Sequence, residues 1–170
     1  MDCSGPRLRL SGTVVLRHGR GRQWDQVRTL GPNLVVDAGK LKLAQYHIAD
    51  ATSSLRLSQI ALGNGGAPNG LAVAPLPGDT ALGFEILRDL NIDQRSAALA
   101  PTTPARADIT YLNVFDARLV TDFGTKGQVV NEVGLFWSDG TLHARKTFDD
   151  LPFDPDLDHS LEIRWILALE

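Results

Sequence analysis

Asn131-Glu132-Val133-Gly134-Leu135-Phe136-Trp137-Ser138-Asp139-Gly140-Thr141-Leu142-His143-Ala144-Arg145-Lys146-Thr147-Phe148 is the stretch on which the reading of the fold turns. It alternates, turns at Ser138-Asp139-Gly140, and alternates again. Period two is the spacing of a strand with two unlike faces, and an Asp-Gly pair between two such runs is a strong hairpin signal. Val133, Leu135 and Trp137 are expected on one face of the first strand. On the second, Leu142, Ala144 and Lys146 share one face, with Thr141, His143, Arg145 and Thr147 on the other. This places His143 at the surface.

Working outward, Leu8, Leu10 and Thr13 to Leu16 read as a strand closing at a Gly19–Gly21 turn, and Trp24, Val27 and Leu30 as its return. A helix is predicted over residues 36–51, capped by Asp37 and turning Leu41, Ala44, Tyr46 or His47, and Ile48 to one side. Leu55 to Leu62 is a strand stopping at Gly63-Asn64-Gly65-Gly66, and a Pro/Gly-rich loop follows to Gly78. Asp79-Thr80 is expected to cap a short helical turn before extended chain through Ile86, Leu90 and Ile92. Ala97 to Arg106 reads as a loop. Strands Ile109 to Phe123 and Leu161 to Leu169 complete the series, each with one apolar face. Many strands and one helix define a mainly β (α+β) chain, an antiparallel β-sandwich with one main α-helix near residues 36–51. A single domain, 1–170, is expected, with 1–32 as an added N-terminal hairpin and 33–170 as the sandwich proper.

Composition narrows the function. With 170 residues, 43% hydrophobic, the chain is able to bury its own core. A net charge of −3 argues against a general nucleic-acid binder. The single cysteine, Cys3, permits no internal disulfide and no cysteine-based zinc site. No apolar run is long enough for a membrane span or a signal peptide, so a soluble protein made in a reducing compartment is expected. Charge is uneven: residues 1–50 carry eight Lys/Arg against four Asp/Glu, and residues 51–170 carry nine against sixteen. Arg17, Arg20 and Arg22 form the basic extreme; Asp149, Asp150, Asp154, Asp156 and Asp158 form the acidic one. Such segments are either solvated loops or complementary patches that guide docking.

Catalytic chemistry finds little purchase. Gly63 to Gly66 lacks the Lys-Ser/Thr that follows a phosphate loop. Asp154, Asp156 and Asp158 have the opening spacing of a calcium loop, but His159 stands where its turn glycine belongs and Trp165 where its bidentate glutamate belongs. His18, His47, His143 and His159 have no metal-ligand spacing, and no serine sits in a nucleophile elbow. Glu85 and Arg88 read as a paired couple, with Glu132 as an alternative partner for Arg88. No catalytic residue, cofactor or metal is assigned.

Five segments in order carry a resemblance: Asn33 to Lys40; Leu57 to Gly66; Gly78-Asp79-Thr80-Ala81-Leu82 with Glu85 and Arg88; Asn131 to Phe136 with Asp139-Gly140 and Leu142; and a final strand ending Trp165-Ile166-Leu167. Together they resemble the N-terminal, baseplate-attaching domain of tailed-bacteriophage tail fibre and tail-collar fibre proteins, and related small baseplate proteins. The resemblance spans residues 33–167. It implies a non-enzymatic virion component of the tail or baseplate, an adaptor or fibre-attachment module made in the host cytoplasm. Its partners would be other tail, baseplate or fibre proteins and further copies of itself, with neither nucleic acid nor membrane involved. A carbohydrate-binding β-sandwich touching the host surface is the alternative, with Trp24 as the aromatic free to stack on a sugar.

Overall fold

The computed structural model describes residues 10–21, 23–48, 55–100, 106–116, 128–154 and 157–169. Two five-stranded antiparallel sheets pack face to face. Sheet A runs β2-β1-β10-β7-β6 and sheet B runs β3-β9-β8-β4-β5. Sheet A is built from β1 (Leu10–Arg20), β2 (Gln23–Pro32), β6 (Gln94–Ala100), β7 (Arg106–Phe115) and β10 (His159–Leu169). Sheet B is built from β3 (Leu34–Val35), β4 (Leu57–Gly63), β5 (Glu85–Asp89), β8 (Gln128–Trp137) and β9 (Leu142–Phe153). The mainly β sandwich with one α-helix is therefore the observed architecture.

Alternation explains the core. In β10, Leu161, Ile163, Trp165 and Leu167 all point inward, as the spacing requires, and they meet Val14 and Leu16 of β1 and Phe115 of β7. The β8–β9 hairpin turns at Gly140, whose φ of +84° lies in the left-handed region that a side chain resists. Sheet B is covered on both faces, and β4, Leu-Ser-Gln-Ile-Ala-Leu-Gly, is buried at every position. Its outer face carries a second small core of Val36, Ala61, Leu82, Phe136 and Leu142, roofed by the long connection from β4 to β5.

Several expectations are corrected. The β1–β2 hairpin is no appendage: β1 pairs with β10 from Leu10↔Leu169 to Arg20↔His159, so the first strands are integral to sheet A. Leu142 and Ala144 do not share a face, because the β8–β9 register slips between Leu135↔Ala144 and Phe136↔Leu142. His143 is the extra residue of that β-bulge. The slip sends Leu142 to the outer core and Ala144 to the inner one, and it draws His143 inside, fully buried instead of at the surface.

The helix α1 spans Asp37–Ile48, and the remainder of its expected range lies outside the described residues. It does not bury the expected stripe, since Leu41, Tyr46 and Ile48 are exposed. Gly39 determines which side docks: a Cβ there would lie 2.2 Å from the His143 carbonyl oxygen, so only glycine lets the helix rest on β9. Asp37 holds Lys40 through its side chain at 2.9 Å. No helical turn follows Asp79-Thr80, and Gln94 to Ala100, partly expected as loop, is an edge strand. The end of the expected strand Ile109 to Phe123 lies outside the described residues beyond Asp116.

Candidate functional site

Three of the five segments that carry the resemblance meet around one buried carboxylate, supplying Gly65, Asp79 and Glu132 itself. Glu132 of β8 is 0% exposed. Its Oε1 accepts from the backbone N–H groups of Gly65 and Phe84, both at 2.9 Å. Its Oε2 accepts from Gly83 N–H at 3.0 Å and from Arg145 Nε at 2.9 Å and Nη2 at 2.5 Å. Arg145 reaches on through Nη1 to Asp79 Oδ2 at 2.7 Å, an oxygen that also accepts from Leu76 N–H. A buried charge is tolerable only when it is paired and hydrogen-bonded, and every member of this chain is. Burial works against the charged Arg145 guanidinium, but the hydrogen bonds it donates to Asp79 and Glu132 outweigh it and raise its pKa.

The effect is to clamp the connection between β4 and β5, residues 64–84, onto sheet B. Asn131 accepts from Gly66 N–H and donates to Asp150. Thr147 donates to the Val73 carbonyl at 2.7 Å, and Asp37 N–H bonds the Pro77 carbonyl at 2.8 Å. With its backbone held this way, the connection turns large apolar side chains outward: Leu71 is 72% exposed, Leu76 65%, Phe84 61% and Val73 54%. Val73 and Leu76 border a hollow of about 320 Å³ that also reaches Arg145 and Asp79. Rigid backbone and exposed apolar surface together are the properties of a docking face.

The expected site residues scatter around this face. Glu85 and Arg88 do pair, through Nε at 2.8 Å and Nη2 at 2.5 Å. Glu132 pairs with Arg145 and not with Arg88, whose guanidinium lies 3.8 Å over the Phe136 ring and bonds Gln59. Asp149 accepts from Ala72 N–H. At the β1–β2 turn of sheet A, Arg17 pairs with Glu162 of β10 at 3.5 Å, and Gly21 N–H bonds the Asp158 carbonyl at 2.8 Å. The basic turn and the Asp158 end of the acidic segment, read as solvated loops or as complementary docking patches, are therefore neighbours within one chain. Arg20 stands opposite His159 in that register. Trp24 is half-buried, while Trp137 and Trp165 are in the core. Arg22 and Asp156 lie outside the described residues.

Arg145 is the member that the sequence reading passed over, although counting back from the turn finds it. Pairing across Asp139-Gly140 sets Arg145 opposite Gly134, diagonal to Glu132 on the same face. No group of three or more His, Cys, Asp or Glu gathers as a metal site among the described residues. Nor is any described helix long and apolar enough to cross a membrane. Comparison with protein-family models, with curated proteins and with solved structures finds no match.

Proposed function

We propose that this protein is a structural component of a tailed-phage virion, a tail or baseplate adaptor or fibre-attachment module that acts through protein–protein contacts and not by catalysis. The observation that carries the proposal is the clamped connection 64–84, which presents Leu71, Val73, Leu76 and Phe84 to solvent on a backbone held by buried hydrogen bonds. Five segments of the resemblance in their proper order favour the same reading, and two of them supply Asp79 and Glu132 to the clamp. A pre-ordered apolar surface binds without a large ordering cost, which suits a part repeated around a symmetric assembly. The fully bonded carboxylate has no free lone pair for acid–base work, and that favours a positioning role.

The test is to quantify the protein in purified particles and then to compare Leu71→Asp/Leu76→Asp with wild type. Both side chains are exposed, so melting temperature should be unchanged while incorporation into particles falls at least about tenfold, the effect of losing one good apolar anchor. A protein recovered only from the infected-cell extract and never from particles refutes the proposal.

A further inference from the structure

A second feature lies at the opposite, helix-covered end of the sandwich and is independent of the attachment face. Here the sheets part, leaving a cavity of about 450 Å³ between sheet A and α1. Leu10 of β1, Leu167 of β10, Ile109 and Tyr111 of β7 and Arg95 of β6 line one side, so the cavity crosses four adjacent strands. At one inter-strand spacing per step this is about 14 Å of run, the shape of a slot and not of a packing defect. Leu43 and Tyr46 of α1, with Leu57 and Trp137 of sheet B, form the opposite wall. The volume falls within the range of small-molecule sites, which are mostly apolar with a few polar groups.

The charged side chains among them are arginines: Arg56 and Arg95 line the cavity and no Asp or Glu does, in a chain whose net charge is −3. His47 and His143 line it as well, and burial keeps the His143 ring neutral. Arg56 and Arg95 are exposed, and neither forms a carboxylate pair among the described residues. They sit towards the β4 and β6 side, while the Leu10 and Leu43 end is apolar. Deeper in, the His143 ring is fully buried and stands edge-on to Trp137, with 5.5 Å between the ring centroids.

We infer that this slot binds a small amphipathic carboxylate of the fatty-acid class, its apolar body lying across sheet A and its anionic head held by Arg56 and Arg95. Guanidinium groups pair well with a carboxylate, and the apolar floor supplies most of the contact area.

The experiment uses the intact protein with dodecanoate, below its micelle concentration, and dodecan-1-ol as the uncharged match. Binding is read by calorimetry and by the change in tryptophan emission, Trp137 being the one of the three tryptophans that lines the slot. Saturable binding of dodecanoate is expected, weaker binding of the alcohol, and a loss of about tenfold or more for dodecanoate alone in Arg56→Glu/Arg95→Glu. Those two side chains are exposed, so the variant keeps its fold, and Ile109→Trp, which puts a larger side chain on the floor of the slot, should weaken binding of both ligands. The inference is overturned if dodecanoate shows no saturable binding, or if acid and alcohol bind alike and ignore the arginines. It is overturned equally if a peptide with an apolar C-terminal residue and free carboxylate binds where dodecanoate does not, since the slot then belongs to a protein partner.

Discussion

Replacing Glu132 by alanine tests the clamp most directly. The side chain is 0% exposed and accepts from the Gly65, Gly83 and Phe84 N–H groups as well as from Arg145. Removing it leaves Arg145, itself only 12% exposed at the side chain, with Asp79 as its one remaining carboxylate partner. Breaking a buried ion pair from one side costs about 3–5 kcal/mol, and each orphaned buried donor adds about 1–3 kcal/mol where water cannot replace the lost acceptor. Residues 64–84 are surface chain and will admit water to most of the three backbone donors, so the expected loss is that of the pair plus one orphaned donor at their lower ends, about 4 kcal/mol. Against a typical stability of about 5–15 kcal/mol this is a large fraction. Urea unfolding should show the midpoint falling with the slope unchanged. Limited proteolysis should then cut first within 64–84, because the connection loses its anchors before the sheets open. Glu132→Gln, which keeps an acceptor for the backbone groups, should cost less than Glu132→Ala. A double-mutant cycle with Arg145→Met should return a coupling of about 1–3 kcal/mol. If Glu132→Ala unfolds within about 1 kcal/mol of wild type and the cleavage pattern does not change, the carboxylate does not hold this region and the reasoning fails.

Three further outcomes rest on the packing. Burial lowers the pKa of His143 to about 4, with the Gly39 backbone opposing. The unfolded chain therefore binds the proton first, so this contribution is complete above pH 6.5 and is lost as pH falls towards 4. Between pH 7.5 and 4.5 that costs about 2–3 kcal/mol, measured as the difference in urea-unfolding stability between wild type and His143→Leu across that range. Gly39→Ala should destabilise by about 1–3 kcal/mol despite alanine's better helix propensity, because the new Cβ meets the His143 carbonyl, and thermal melting decides the sign. Arg88→Ala removes a part-exposed guanidinium that covers the buried Phe136 ring and pairs with the part-exposed Glu85, and should cost about 1 kcal/mol by the same assay.

The segments that were legible in the sequence are those where one short-range rule suffices. Val133, Leu135 and Trp137, or Leu161 to Leu167, declare a buried face by alternation alone, and Asp139-Gly140 declares the turn between two such runs. The helix exists where the spacing placed it, but its orientation was not legible. Leu41 and Ile48 form a plausible stripe, yet the side that docks is chosen by contact with β9, and Gly39 alone fits against that backbone. The bulge at His143 was equally hidden. Nothing in Leu142-His143-Ala144 differs from ordinary alternation, and a one-residue slip reverses the facing of every strand residue beyond it.

By itself, then, the sequence determined the local periodicities: strands, turn, helix, and the apolar content needed for two packed sheets. Tertiary structure alone decided where the polar residues of those elements ended. Glu132 read as a possible partner for Arg88 because burial depends on what covers a strand, and its cover is the connection that directly follows β4 and leads to β5. A carboxylate enters a core only when donors from distant positions arrive together. Those donors, Gly65, Gly83, Phe84 and Arg145, are brought together by the closed sandwich and by no local pattern of residues.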